Sequence, residues 1–182
     1  MPKIKQICDH EISHGIVAER QGFTDYTRIF VDLVTKSSRK GGIDISIESL
    51  QKRLDTNVPV AERRALSVQI VAIFAAGSEG EKLMQWKPDP DWSSWDEEQI
   101  ELFGVLGVYE DEDLPLLNQS KARDNGWGKW GLVDAVIADG REVAAKFLAK
   151  DVAGLTAASK MLQQFVEAKG SSHIKRAQLH RR

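Results

Sequence analysis

The stretch that decides the fold begins at Pro59 and reads Val60, Ala61, Glu62, Arg63, Arg64, Ala65, Leu66, Ser67, Val68, Gln69, Ile70, Val71, Ala72, Ile73, Phe74, Ala75, Ala76. Proline is tolerated in a first helical turn, where its missing N–H would have no partner. Beyond Arg64, apolar residues point in nearly every direction around a helix axis, leaving no polar face for water. Such a helix is buried on most sides. The segment at about 59–76 is therefore expected to be the central core helix. Its apolar part, about Ala65 to Ala76, is too short to span a bilayer and is interrupted by Ser67 and Gln69.

Other helices are expected around it. Ile4, Ile7, Cys8, Ile12 and Ile16 recur every three or four residues, which predicts an amphipathic helix from about Lys3 to Arg20. Tyr26, Ile29, Phe30, Leu33 and Val34 have the same spacing, so a helix after Thr24 is expected, with a strand as the alternative because the run is β-branched. A helix is predicted from near Ser46, although Ile43, Ile45 and Ile47 also alternate as in a short strand. Ser78 with Glu81 and Ser94 with Glu97 fit capping boxes for short helices near 79–86 and 95–107. Two more helices are expected over Trp130–Lys150, with a bend at Asp139–Gly140, and from Asp151 to Gly170. No hairpin signal is evident. The fold class is thus all-α, a compact helical domain of about seven or eight helices over residues 1–170, with 86–119 as a candidate sub-lobe and 171–182 as a basic C-terminal tail.

Composition bounds the function. The 182 residues carry 25 basic and 27 acidic side chains, a net charge of −2, and one cysteine, which excludes an internal disulfide framework. With no continuous apolar run at its start, the chain is expected to lack a signal peptide and to be cytoplasmic. The charge is unevenly spread. Residues 86–119 carry −9, which leaves +7 on the rest, and all five tryptophans lie between 86 and 130. Trp92, Trp95, Glu97, Glu98, Asp111 and Asp113 are therefore candidates for a surface that binds a protein partner or a second copy. The alternative is that the tryptophans fill the core. Lys175, Arg176, Arg181 and Arg182 in the tail are candidates for contact with nucleic acid.

Three motifs bear on chemistry. His10-Glu11-Ile12-Ser13-His14 fits H-E-x-x-H, in which histidines at i and i+4 share a helix face. The five residues resemble the zincin metallopeptidase signature, and that resemblance implies zinc on His10 and His14 with Glu11 activating a bound water. Asp25 is the candidate third ligand, followed by Asp32, because position 20 is Arg20 where the metzincin extension has histidine. The competing expectation is that His10, Glu11 and His14 form a solvated polar face. Residues 46–66 have the rhythm of a degenerate helix-turn-helix, with Arg63 and Arg64 on the recognition helix of a DNA-binding regulator. Gly126-x-Gly128-x-x-Gly131 lacks the preceding strand of a dinucleotide fingerprint and reads as a turn.

Without a complete catalytic set, the leading expectation is a non-catalytic helical interaction or assembly protein, a subunit or adaptor of a larger complex. A zinc-dependent hydrolase is the alternative, and the DNA-binding regulator the third reading. No membrane partner is expected.

Overall fold

The computed structural model describes residues 2–35, 40–54, 57–87, 90–108 and 130–179. In chain order these form α1 (Pro2–Arg20), β1 (Tyr26–Asp32), β2 (Gly41–Ile45), α2 (Ile47–Arg53), α3 (Val60–Leu83), α4 (Pro90–Leu106), α5 (Trp130–Lys150), α6 (Val152–Lys169), β3 (Ser171–Lys175) and α7 (Arg176–Leu179). The domain is mostly helical, as expected. It is not all-α, because a three-stranded antiparallel sheet of order β2-β1-β3 packs beside the helices.

The sheet occupies the segment expected as a helix after Thr24. Tyr26 pairs with Ile45 and Ile29 with Ile43, and a bulge lies between the two pairs. The extra residue puts buried Tyr26 three positions before buried Ile29, the spacing of a helix turn. Beyond the bulge the strand returns to alternation, with Ile29 and Val31 inward. At β2 both sequence patterns are realised in succession, since Gly41–Ile45 is a strand and Ser46 then caps α2 by accepting from the Ser49 N–H. Part of the expected tail also belongs to this unit. Ile174 of β3 faces the core opposite Ile29, and Arg176–Leu179 follow as α7.

Two helices form the centre. α3 is buried from Ile70 to Ser78, as its composition predicts. It does not stop at Gly77 but runs on to Leu83, so the short helix expected near 79–86 is its last turns. The second central helix is α1. Every residue from Ile7 to Ala18 is buried, including Asp9, His10, Glu11, Ser13 and His14. The solvated polar face expected there is absent. α1 is enclosed by α3, α6 and the sheet. Close approach of α1 to α3 depends on Gly77 and Gly80, where a Cβ would collide with His10 and His14 and with Ser13 respectively.

The flanking helices follow their sequence signals. α6 is capped by Asp151, whose carboxylate accepts the Gly154 N–H, and ends at Gly170 in the left-handed conformation. α5 runs through Asp139–Gly140 as one helix, with Gly140 packed on Val71 of α3. α4 begins at Pro90, earlier than the capping box at Ser94 suggests. No described helix is long and apolar enough to cross a membrane.

Candidate metal centre

His10 and His14 share one face of α1, as the i and i+4 spacing requires. That face is directed at α3, into the space left by Gly77. The His10 Nε2 and His14 Nε2 both converge on one carboxylate oxygen, Asp96 Oδ2 on α4, at 3.0 and 3.3 Å. Ligand atoms from the three residues lie within 4.8 Å of one another. For comparison, ligands about 2.05 Å from a tetrahedral zinc sit about 3.3 Å apart, close to the two separations from Asp96 Oδ2, which are equally the lengths of hydrogen bonds to the imidazoles. The imidazoles are 2% exposed and the Asp96 side chain 10%.

The outer nitrogens are also placed. His14 Nδ1 lies 2.7 Å from the Ile73 carbonyl, to which it donates, so Nε2 is the nitrogen left to face Asp96. His10 Nδ1 lies 3.6 Å from Glu81 Oε1, its nearest carboxylate, and Gln6 donates to that same oxygen at 3.0 Å. Metal-bound histidines have this arrangement, with the far nitrogen aimed at a carbonyl or carboxylate. Burial works against the charged form of His10, but the hydrogen bond to Asp96 and the nearby Glu81 carboxylate outweigh it and push its pKa up to about 10. Burial likewise opposes ionisation of Asp96, yet the adjacent His14 and His10 hold its carboxyl well below the usual range. The pocket thus stabilises a positive charge beside Asp96 at the His10 imidazole.

A second polar cluster fixes the register of α1. Asp9 accepts from Lys5 Nζ at 2.6 Å, from Trp86 Nε1 at 2.7 Å and from the Ser159 hydroxyl of α6. α4 is held by Trp95, edge-on to Phe74 at 5.6 Å, and by Phe103, stacked parallel to the same ring at 5.7 Å. Arg141 of α5 adds an ion pair in which its Nη2 donates to both carboxylate oxygens of Glu97, at 2.8 and 2.7 Å. Asp96 lies between Trp95 and Glu97, so both contacts set its position.

The residues singled out from sequence are distributed unevenly around this centre. His10 and His14 belong to it. Glu11 does not, because its carboxylate lies against Gly41 of β2, away from Gly77. Asp25 pairs with Arg53, and Asp32 accepts the N–H groups of Val34 and Thr35 at 2.9 and 3.1 Å. The carboxylate that meets both histidines is Asp96, which sequence spacing could not supply because it lies 82 residues beyond His14. Trp95 is packed against the core and positions α4, whereas Glu98 is exposed. Trp92 lies on α4, and its side chain is outside the described residues, as are Asp111, Asp113, Arg181, Arg182 and the glycines at 126 and 128.

Burial separates the two arginines expected on a recognition helix. Arg63 is 1% exposed, so it cannot reach a DNA groove, while Arg64 is half-buried. In the former tail Lys175 is exposed on β3, but Arg176 is committed inward, with its Nε 2.6 Å from Glu19 Oε1. Cys8 is buried, and burial with neighbouring carboxylates pushes its thiol up to about 12, which removes it as a nucleophile. No protein-family model, curated protein or solved structure matches this chain.

Proposed function

We propose that this protein is a non-catalytic helical interaction domain whose core is stapled by a divalent metal, with zinc the best fit, held by His10, His14 and Asp96. The observation that carries the reading is the convergence of both Nε2 atoms on Asp96 Oδ2 within a pocket that only a glycine at position 77 leaves open. Two imidazoles and a carboxylate are borderline-hard donors suited to zinc. The second oxygen of Asp96 is a further donor atom available to the ion.

Catalysis is disfavoured by the same geometry. A zincin-type reaction needs a carboxylate beside the metal to take a proton from bound water. Glu11, the residue in that sequence position, is turned toward β2. The ligands are also nearly sealed from solvent, leaving little access for a substrate. What metal would do here is join α1 to α4 across Gly77. The outer side of α4, with Glu97, Glu98 and Glu101 bordering a cavity of about 260 Å³, is then held rigidly for a basic protein partner.

Cobalt substitution tests the centre. Metal-free protein titrated with Co²⁺ is expected to develop one equivalent of visible absorption characteristic of four-coordinate nitrogen and oxygen ligation. His14→Ala and Asp96→Ala should each abolish it. A featureless titration, or a spectrum unchanged in both variants, overturns the reading.

A further inference from the structure

Arg63 lies in the first turn of α3, about 21 Å along the helix from Gly77 at 1.5 Å per residue, so it stands apart from the metal centre. It is 1% exposed. Its Nε and Nη2 atoms are buried and find no hydrogen-bond acceptor among the described residues. Other arginines behave differently. Arg20, Arg28, Arg53, Arg141 and Arg176 each pair with a carboxylate, although their side chains are 29% to 54% exposed. The most deeply buried guanidinium of the six lacks such a partner among the described residues.

Arginine does not lose its proton in proteins, so this charge cannot be shed. A buried cation left unpaired is among the costliest arrangements a core can hold. The helix adds to that cost. α3 is 24 residues long, and Arg63 stands at the positive end of its dipole, which favours anions and disfavours cations. Pro59 at the N-cap makes no side-chain capping bond, so the cap brings no acceptor to this end. Glu62, the acidic residue of the same turn, is exposed while Arg63 is enclosed. One turn further on, the Ser67 hydroxyl is committed as a donor to the Phe103 carbonyl of α4.

We infer that Arg63 is a receptor for a small carboxylate anion. Nε–H and the adjacent Nη2–H lie side by side on one edge of the guanidinium, a fork that matches the two oxygens of a carboxylate. One negative charge balances one buried positive charge. A phosphate dianion would leave a second charge uncompensated in the same enclosed place. The enclosure also selects for size, so the ligand is a short acid, and formate is the smallest probe of it.

Proton–nitrogen correlation spectra of the full chain test this through the Arg63 Nε–H resonance, assigned by its loss in Arg63→Lys. Sodium formate is titrated against sodium chloride at constant ionic strength. A saturable shift of that resonance is expected, with an affinity for formate at least roughly tenfold above that for chloride. Formate should also raise the unfolding midpoint of the wild-type chain. Arg63→Lys keeps the charge but not the fork, and should weaken formate binding at least roughly tenfold. Arg63→Met should abolish the stabilisation, with a formate-free midpoint no lower than wild type, because an apolar chain replaces an unpaired charge. An unmoved resonance overturns the inference, as does a shift matched by chloride or a stabilisation that survives in Arg63→Met. A wild-type chain that ignores formate, while one carrying Glu110→Gln, Asp111→Asn, Glu112→Gln and Asp113→Asn responds, would also overturn it. That result would assign Arg63 to the chain's own carboxylates.

Discussion

His14 Nδ1 meets the carbonyl of Ile73 at 2.7 Å, a bond between the two central helices that decides which nitrogen His14 presents to Asp96. The carbonyl belongs to α3 one turn before Gly77, the residue whose missing side chain leaves room for the imidazole ring. One turn of α3 therefore both orients the ligand and makes space for it. The same turn is the place where substitution should be felt first.

Gly77→Ala is a one-methyl change aimed at that space. The added Cβ would come within 2.7 Å of His14 Nε2 and closer still to His10, which forces the imidazoles or the helices apart. Overpacking of this kind costs about 1–3 kcal/mol. Urea denaturation of the metal-free variant should show that loss. Zinc titration should show a second effect, an affinity lowered at least tenfold, because a tetrahedral site does not tolerate displaced ligands.

Metal binding should release a proton. His10 keeps its second proton up to about pH 10 in the metal-free domain, and a metal that takes Nε2 must displace it. Zinc affinity is therefore expected to rise about tenfold per pH unit between pH 6.5 and 8.5. Stability of the metal-free form runs the other way. A group whose folded pKa lies above its unfolded value of 6.5 contributes stability that is complete below pH 6.5 and lost as pH climbs toward 10. Denaturant midpoints in chelator should fall by roughly 2 kcal/mol equivalent from pH 6.5 to 8.5, and those of the zinc form should not. A metal-free midpoint that is flat or rises over this range would contradict the assignment of charge to His10.

Asp9 offers a control away from the metal. Its replacement by alanine leaves the Ser159 hydroxyl and the Trp86 indole N–H without their acceptor. The orphaned buried hydroxyl of Ser159 alone costs about 1–3 kcal/mol, with a smaller loss at the half-buried Trp86. The expected result is a large loss of stability with zinc stoichiometry intact in the folded fraction, measured by calorimetry alongside metal analysis.

Cys8 supplies a check on burial of α1. With its thiol pushed up to about 12 and its side chain enclosed, reaction with a thiol reagent should wait for unfolding. Labelling at pH 8 is expected to be at least a hundredfold slower than in denaturant. Rapid labelling of the native chain would mean that α1 is not a central helix.

How much of this was readable beforehand follows from the physics of each segment. The apolar surround of Ile70–Ala76 announces a buried helix because burial on all sides leaves no other pattern. α1 carries the opposite appearance. Asp9, His10, Glu11, Ser13 and His14 look like a wet face but are buried, and Asp9, His10 and His14 meet partners on α3, α4 and α6 that are remote in sequence. The bulge before Ile29 disguised a strand as a helix. Of the metal centre, the i and i+4 histidines were legible from local spacing. Asp96 was not, since its approach to His10 depends on how Trp95 and Phe103 seat α4 around Phe74. Glu11 completed the motif in sequence, but α1 turns it toward Gly41.

The central claim is that His10, His14 and Asp96 hold one metal ion. Its most direct measurement is the zinc content of purified wild-type protein after exhaustive dialysis against metal-free buffer, compared with His10→Ala/His14→Ala prepared in parallel. One zinc per wild-type chain and none in the variant is the predicted result. Wild-type protein that is folded yet holds no zinc, or a variant that retains a full equivalent, would contradict the account.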